Sequence, residues 1–158
     1  MSRDQAFVDA ARALGHSFDG EIKVGGNYAP LVRVGDTLYV SGQVPRVGDT
    51  VIVTGRAGAD VPLERAQLAA RICAMRALAL LQRSLGSLEK IRALAKLNVF
   101  VQCADAFTQQ SEVADAASEL LLAVIGPAGV HARTSIGVLQ LPKNATVELD
   151  LIAVAEVD

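Results

Sequence analysis

Apolar residues recur at every third or fourth position along two long stretches of the chain, and this period predicts two α-helices. The first helix is predicted between Pro62 and Gly86, and the second from about Thr108 to Ile125. A shorter amphipathic helix is predicted over residues 4 to 14. A glycine follows each of these stretches, as is common at helix ends. The apolar stripe of the longest helix consists of Leu63, Ala66, Ala70, Cys73, Ala77 and Leu81.

Strict alternation of apolar and polar residues predicts β-strands between these helices. Residues 31 to 34 and 37 to 41 predict two strands, joined by a turn at Gly35-Asp36. A third strand is predicted over residues 97 to 103, between the two long helices.

The last two strands are predicted near residues 133 to 140 and 146 to 155, as a hairpin that turns near Lys143. The element order is then helix, two or three strands, helix, strand, helix and two strands. Two amphipathic helices that cover one face of a mixed β-sheet give a two-layer α+β fold. Residues 1 to 158 are expected to form a single domain, in which residues 1 to 15 add an extra helix. The second face of the sheet has no element left to cover it, so copies of the chain are expected to bury it.

Arg133 is the only charged residue between Ala132 and Gln140, on a strand that is otherwise apolar or small. Its planar fork of donors fits a carboxylate with two hydrogen bonds, which favours a small anionic metabolite as ligand. In the expected hairpin, Glu148 lies on the order of 16 Å along the strand from this arginine, too far for a direct ion pair. Gly137 is expected to leave room for the ligand. Alternation places Arg133, Ser135, Gly137 and Leu139 on one face of the sheet.

Charge and composition exclude several classes of function. The net charge is -2, and acidic and basic residues are interspersed, so neither nucleic acid nor a membrane is expected as a partner. The N-terminal segment has no continuous apolar core, so no signal peptide is predicted and a cytoplasmic location is expected. Cys73 and Cys103 lie in apolar periodic segments and are interpreted as buried thiols. His131 is interpreted as an exposed imidazole at a strand end rather than as a catalytic base.

Several short motifs are distributed over residues 22 to 156. They are Asn27-Tyr28, Val34-Gly35, Thr37 to Gln43, Asn98 to Val101, Ala132-Arg133-Thr134, Leu141-Pro142-Lys143 and Val147-Glu148-Leu149. Together these motifs resemble the YjgF/RidA family of reactive-intermediate deaminases, also described as L-PSP-type endoribonucleases. The resemblance implies a chorismate-mutase-like fold and a homotrimer with ligand clefts between its subunits. The longer chain, with its N-terminal helix, is similar to the longer branch of that family.

The same resemblance implies the residues of the site. Arg133 corresponds to the arginine that binds the substrate carboxylate, and Glu148 to the acidic residue that acts with a water in imine hydrolysis. Asp115 stands where an asparagine is common in the family, and an anion at that position can repel a substrate carboxylate or partly neutralise its receptor. The further residues expected to bind the substrate are Tyr28, Ser41, Asp115 and Ser135.

Three functions remain open from the sequence. The first is an enzyme that hydrolyses small 2-imino or 2-enamine acids to 2-oxo acids and ammonia. The second is a non-catalytic protein that binds a small carboxylate in the same cleft. The third is an endoribonuclease, which is the least favoured because the chain lacks a basic surface and a pair of histidines suited to acid-base catalysis. No metal-ligand spacing, phosphate-binding loop or dinucleotide motif is present, so neither a metal nor another cofactor is expected.

Overall fold

The computed structural model describes residues 1 to 157, which contain three α-helices and seven β-strands. The predicted helices are confirmed as α1 (Arg3–Leu14), α2 (Leu63–Leu85) and α3 (Gln110–Ile125). None of these helices combines the length and the apolar character that crossing a membrane requires. The strands are β1 (Leu31–Val34), β2 (Thr37–Gln43), β3 (Arg46–Val47), β4 (Thr50–Val51), β5 (Ile91–Gln102), β6 (Ala132–Val138) and β7 (Val147–Ala155).

Five strands form one sheet in the order β1, β2, β7, β5, β6, and β3 pairs with β4 in a separate hairpin. β5 and β6 are parallel, and the other neighbours are antiparallel. The expected hairpin between β6 and β7 is therefore wrong, because β5 lies between them. A parallel pair needs a crossover connection, and α3 supplies it between β5 and β6.

The helices cover one face of the sheet and form the core with it. The predicted stripe of α2 is buried except for Leu63, and it packs against α3 and β7. Alternate residues of β5 and β7, such as Leu97 and Leu149, are fully buried on this side. The predicted α+β fold with two main helices on one face of a mixed sheet is confirmed.

The start of β5 and the hairpin of β3 and β4 differ from the prediction for physical reasons. β5 begins at Ile91, earlier than the strand predicted from residue 97. Its pairing with β7 shifts register between Ile91 and Ala93 and again between Leu94 and Lys96. These irregularities interrupt the alternation of apolar and polar residues from which a strand is predicted. The small hairpin of β3 and β4 was not predicted. Its signal is Gly48, which has φ 58° between two short apolar runs.

The second face of the sheet carries half-buried or exposed side chains of mixed character. Tyr39 is 47% exposed and Ile136 is 44% exposed, although both lie on strands. Phe100 lies between Ile136 and Glu148 on this face, as the pairing of β6, β5 and β7 shows. The helices pack on the opposite side, so this face remains open in one chain.

Candidate functional site

Glu148 opens into a cavity of about 360 Å³, which we call the Glu148 cleft. The cleft lies where the ends of β2 and β7 meet the connection from β6 to β7. Tyr28, one of the residues expected to bind the substrate, also lines it. The other lining residues used below are Lys23, Gly42, Gln43, Arg46, Arg76 and Lys143.

Gly42 leaves the space that the Glu148 carboxylate occupies. A Cβ atom added at Gly42 would overlap Oε1 of Glu148 and would lie 3.0 Å from its Cδ. The register of β2 and β7 shifts between Val40 and Gln43, which marks an irregularity in the ladder beside this glycine. Gly42 is therefore required for the position of the carboxylate rather than for an unusual backbone conformation.

Burial raises the pKa of Glu148, and the neighbouring charge of Asp150 raises it further. Asp150 itself accepts a hydrogen bond from Nδ2 of Asn98 at 2.7 Å. Among the described residues, no side chain donates a hydrogen bond to the Glu148 carboxylate, so nothing offsets its desolvation. A half-buried carboxylate with these properties is suited to accept and return a proton.

Ser41 supports the cleft but does not line it. Its Oγ donates a hydrogen bond to the carbonyl oxygen of Ala29 at 2.6 Å, and its backbone N–H donates to that of Pro30 at 2.9 Å. These bonds fix the segment that carries Tyr28 against β2. The Tyr28 ring is 53% exposed and lies over Gly26, where an added Cβ would be 3.1 Å from ring Cε1.

The connection from β6 to β7 contributes Lys143 to the cleft in a left-handed backbone conformation. Lys143 has φ 59° and Asn144 has φ 56°, which few residues other than glycine adopt. The buried side chain of Gln102 holds this segment: its Nε2 donates to Asn144 Oδ1 and its Oε1 accepts from Leu141 N, both at 2.7 Å. Backbone strain of this kind persists where surrounding contacts enforce it, often at functional sites.

Arg133 lies on the opposite face of the sheet from Glu148. It is paired with Leu97, which points into the helical layer, whereas Glu148 is paired with Phe100 on the open face. Beside Arg133 is a second cavity of about 320 Å³, which we call the Arg133 groove. The groove lies between α3 and the start of β6, and its lining includes Ser118, Leu122, Gly129, Val130, His131 and Arg133.

Arg133 has partners within its own chain. Its Nη1 lies 2.8 Å from Oδ1 of Asp115 and donates to Oγ of Ser118 at 3.1 Å. Its Nη2 donates to Oγ of Ser111 at 3.4 Å. All three acceptors are on α3, which the crossover brings over β6, and the arginine side chain is only 22% exposed. Asp115 therefore partly neutralises the guanidinium.

His131 takes part in the same hydrogen-bond network, so the interpretation of an exposed imidazole is corrected. Its Nδ1 is 2.6 Å from the carbonyl oxygen of Gly129, and its Nε2 is 2.8 Å from Oγ of Ser118. Because a carbonyl can only accept, Nδ1 carries a proton, and in the neutral imidazole Nε2 accepts from the hydroxyl. Ser118 thus donates to His131 and accepts from Arg133, which fixes both side chains.

Gly137 does not leave room for a ligand. A Cβ atom at this position would lie 2.9 Å from Sγ of Cys103 and 3.0 Å from Nε2 of Gln110, so the glycine permits close packing. Cys103 is consequently half-buried, whereas Cys73 is fully buried as expected. Ser135 shares the strand face of Arg133 but does not line the groove.

The residues expected in one site therefore form two groups on opposite faces of the sheet. Arg133, Asp115 and Ser135 lie on the helical side, and Glu148 and Tyr28 lie at the Glu148 cleft. From the strand pairing, the backbones of Arg133 and Glu148 are roughly 14 Å apart, with β5 between them. A single ligand of metabolite size cannot contact both within one chain.

Sequence reasoning missed three cations of the Glu148 cleft, Lys23, Arg46 and Arg76. Arg76 could have been found, because it is the only charge between Ile72 and Gln82 in the most apolar part of α2. A buried arginine needs several acceptors, and its presence in a helix core indicates a polar network. Arg46 has no comparable signal, because its burial depends on the fold around it.

Comparison with known proteins assigns the chain to a family. Residues 12–155 match the family described as YjgF/chorismate mutase-like, putative endoribonuclease. Protein TCP17 of Trypanosoma cruzi is 43% identical over 127 residues, which cover 80% of this chain and 79% of TCP17. The resemblance drawn from the sequence motifs is confirmed.

Two crystal structures extend the similarity to the whole fold. Protein Atu1372 of Agrobacterium tumefaciens, whose function is unknown, is 38% identical with a TM-score of 0.86, covering 98% of this chain and 95% of its own. A putative endoribonuclease of Shewanella oneidensis MR-1 is 27% identical with a TM-score of 0.89, covering 98% and 99% of the two chains. Both comparisons include the N-terminal helix.

Proposed function

We propose that this chain, which belongs to the YjgF/chorismate mutase-like family, hydrolyses small 2-imino acids and their 2-enamine tautomers. Water adds to the carbon of the C=N bond, and a proton passes to the nitrogen. The carbinolamine then collapses to a 2-oxo acid and releases ammonia. An imine carbon is already electrophilic, so positioning of the water and modest proton transfer suffice for catalysis.

The observation that carries this proposal is the state of Glu148. Its carboxylate is half-buried in a cavity, its pKa is raised, and no described side chain donates a hydrogen bond to it. Such a group can take a proton from the attacking water and deliver it to the departing nitrogen. Gly42 leaves the carboxylate the space to reach the cleft.

Arg133 binds the substrate carboxylate in this proposal, and it comes from a second copy of the chain. The separation of Arg133 and Glu148 on opposite faces of one sheet supports a site that is shared between subunits. The open face, with the partly exposed Tyr39 and Ile136, gives the second copy a surface to bury. A closed homotrimer would form three equivalent sites of this kind.

An endoribonuclease, which the family description also names, is less well supported by this chain. The net charge is -2, whereas proteins that bind the RNA backbone usually present clustered cations. His131 is held between Ser118 and Gly129, where it does not face the Glu148 cleft. Hydrolysis of a small imine requires neither clustered cations nor a histidine that faces the cleft.

The test is the rate of 2-oxo acid and ammonia formation from imines that an amino-acid oxidase generates in situ, measured above the spontaneous rate. Arg133→Ala should lower kcat/KM by about 30- to 1000-fold, because a charge-assisted bidentate contact contributes roughly 2 to 4 kcal/mol. Arg133→Lys should restore little, since an ammonium cannot reproduce the planar fork. Arg92→Ala, at an exposed arginine of β5, is the matched control.

Each result has a distinct meaning. Full activity of Arg133→Ala in an intact oligomer would exclude Arg133 as the carboxylate receptor. Binding of a 2-oxo acid that depends on Arg133, without any turnover by the unmodified protein, would instead support the carboxylate-binding protein. RNA cleavage that is lost together with Arg133 would favour the nuclease.

A further inference from the structure

Three cationic side chains separate the Glu148 cleft from another cavity of about 430 Å³. Lys23, Arg46 and Arg76 line both cavities. Arg46 is the first residue of β3, Lys23 lies in the segment before β1, and Arg76 projects from the middle of α2. Glu148 supplies a negative charge to the wall of the same cleft.

Arg76 is fully engaged by protein acceptors and forms a fixed part of this wall. Its Nε donates to Gln43 Oε1 at 3.1 Å, its Nη1 to the carbonyl oxygen of Arg46 at 2.8 Å, and its Nη2 to that of Lys23 at 3.2 Å. The residue is 3% exposed. Burial lowers the pKa of Arg76, and the nearby charge of Arg46 also lowers it.

Lys23 is paired as well, because its Nζ forms an ion pair with the exposed carboxylate of Asp49. Asp49 also interacts with the charge of Arg46. The guanidinium of Arg46 in turn lies close enough to that of Arg76 to lower its pKa. Two guanidinium groups that lie close together repel each other, and an additional anion would reduce this repulsion.

Arg46 is the member of the cluster that lacks an acceptor. Its side chain makes no ion pair with any described residue, and its Nε is buried without a hydrogen-bond partner. Among residues 1 to 157 this is the buried side-chain nitrogen or oxygen that remains unsatisfied. Buried donors of this kind are rare in folded proteins and call for an explanation.

We propose that Arg46 forms a subsite for a second acidic group, so that the substrate is the imine of a dicarboxylic amino acid. This inference rests on the proposed function and specifies its substrate class. The imine lies beside Glu148, Arg133 of the neighbouring subunit holds the 1-carboxylate, and the side-chain carboxylate of the substrate reaches Arg46. The Arg46 side chain lines the cleft and has no acceptor among the described residues, so its guanidinium can donate to the side-chain carboxylate of the substrate. The strained Lys143, at the same cleft, adds positive charge to its wall.

The experiment compares two 2-oxo acids of equal length by isothermal titration calorimetry. 2-Oxoglutarate and 2-oxopentanoate both have five carbons and differ in a carboxylate against a methyl group. The unmodified protein should bind 2-oxoglutarate at least about ten-fold more tightly, as expected for one charge-assisted contact. Arg46→Gln should bring the ratio of the two affinities close to one, and Arg92→Gln, which removes the same charge at an exposed site, should leave the ratio unchanged.

Turnover of the two corresponding imines is a second, independent measurement of the same preference. With imines generated from glutamate and from norvaline, the ratio of kcat/KM values should follow the ratio of affinities. Equal affinity of the unmodified protein for the two 2-oxo acids would overturn the subsite, whether or not an Arg46 variant folds. A preference that persists in Arg46→Gln would also overturn it.

The results that would exclude the proposed deaminase differ from those that would exclude the Arg46 subsite. A binding preference for 2-oxoglutarate that depends on Arg46, without hydrolysis of either imine, would retain the subsite and exclude the deaminase. Hydrolysis of both imines at equal kcat/KM, with equal affinities, would retain the deaminase and exclude the subsite.

Discussion

Gly42 determines where the Glu148 carboxylate can lie, although it has no chemistry of its own. A methyl group at this position would collide with the end of the glutamate side chain, which can rotate away. We expect Gly42→Ala to fold with a stability change within about 1 kcal/mol, because no backbone strain is introduced. Imine hydrolysis should fall by about 100-fold, since a displacement of about 1 Å at a catalytic group costs this much.

The matched control is Gly20→Ala, because an added Cβ at Gly20 meets no atom within 4 Å. Denaturant unfolding and kcat/KM should be measured for both variants. A Gly42→Ala protein with unaltered kcat/KM would show that the position of Glu148 does not limit the reaction.

Glu148 should destabilise the folded chain at neutral pH, because its pKa is raised by burial and by Asp150. A carboxyl whose folded pKa exceeds its unfolded value binds its proton more tightly in the folded state. The penalty is complete above the folded pKa and disappears below the ordinary value of 4.5. Glu148→Gln should therefore raise the free energy of unfolding at pH 7.5 by about 0.5 to 1 kcal/mol, after allowance for solvent screening.

Urea unfolding of the two proteins at pH 7.5 and at pH 4 measures this difference. The gain should shrink toward zero at the lower pH, while turnover is lost at both. A gain that grows as the pH falls would mean that the carboxylate is stabilised in the fold, contrary to its desolvation.

At the scale of secondary-structure elements, most helices and strands follow from periodicity, but the neighbour of β6 does not. The short connection at Pro142 to Asn144 suggested a hairpin, whereas β5 separates β6 from β7. Short connections usually join adjacent strands, and here the longer crossover through α3 brings β6 beside β5 instead. The alternation did identify the faces within β6 and β7. Although the expected neighbour of β6 was wrong, Arg133 and Glu148 are too far apart for a direct ion pair within one chain, as expected.

The crossover also explains why the partner of Arg133 could not be read from its strand. Asp115 lies 18 residues earlier, on α3, and the two meet only because the helix packs over β6. The motifs did identify both residues, because the family pattern includes these positions. Their ion pair depends on tertiary packing, which single-strand alternation cannot predict.

This ion pair should compete with a substrate carboxylate. Asp115 is 53% exposed, so solvent weakens the pair and its contribution is no more than about 1 kcal/mol. Asp115→Asn keeps an acceptor for Nη1 and removes the competing charge. We expect it to lower the Kd for a 2-oxo acid by about two- to five-fold, with little change in stability.

Glu112→Gln is the matched control, because it removes the same charge from an exposed position on the same helix. Titration calorimetry of both variants against one 2-oxo acid gives the comparison. Weaker binding by Asp115→Asn would indicate that the carboxylate positions the guanidinium and does not compete with the ligand.

At the scale of the whole molecule, one chain presents two half-sites that cannot meet. Glu148 opens beside the uncovered face of the sheet, and Arg133 lies on the far side, on the edge strand β6. An exposed edge strand and a partly apolar face are both surfaces on which another copy of the chain can pack. Light scattering should report about three times the mass of one chain for the trimer we propose.

Subunit mixing tests whether a site takes one residue from each of two copies. Arg133→Ala retains Glu148, and Glu148→Gln retains Arg133, so each variant alone should be inactive. In trimers that contain both, a site is intact where the Glu148 of one chain faces the Arg133 of the other. Random mixing of equal amounts should restore about one quarter of all sites, and about one third of the sites in the trimers that contain both variants.

Co-expression with two different tags, followed by purification on both, isolates the mixed oligomers. Homogeneous oligomers of each variant, prepared in the same way, give the background rate. If both residues acted within one chain, every chain of the mixed oligomer would carry a defect, and activity would stay at the background. We therefore expect recovery of activity only in mixed oligomers, because Arg133 and Glu148 point to opposite faces of the sheet in each subunit. This arrangement requires that the copies meet at the second face of the sheet.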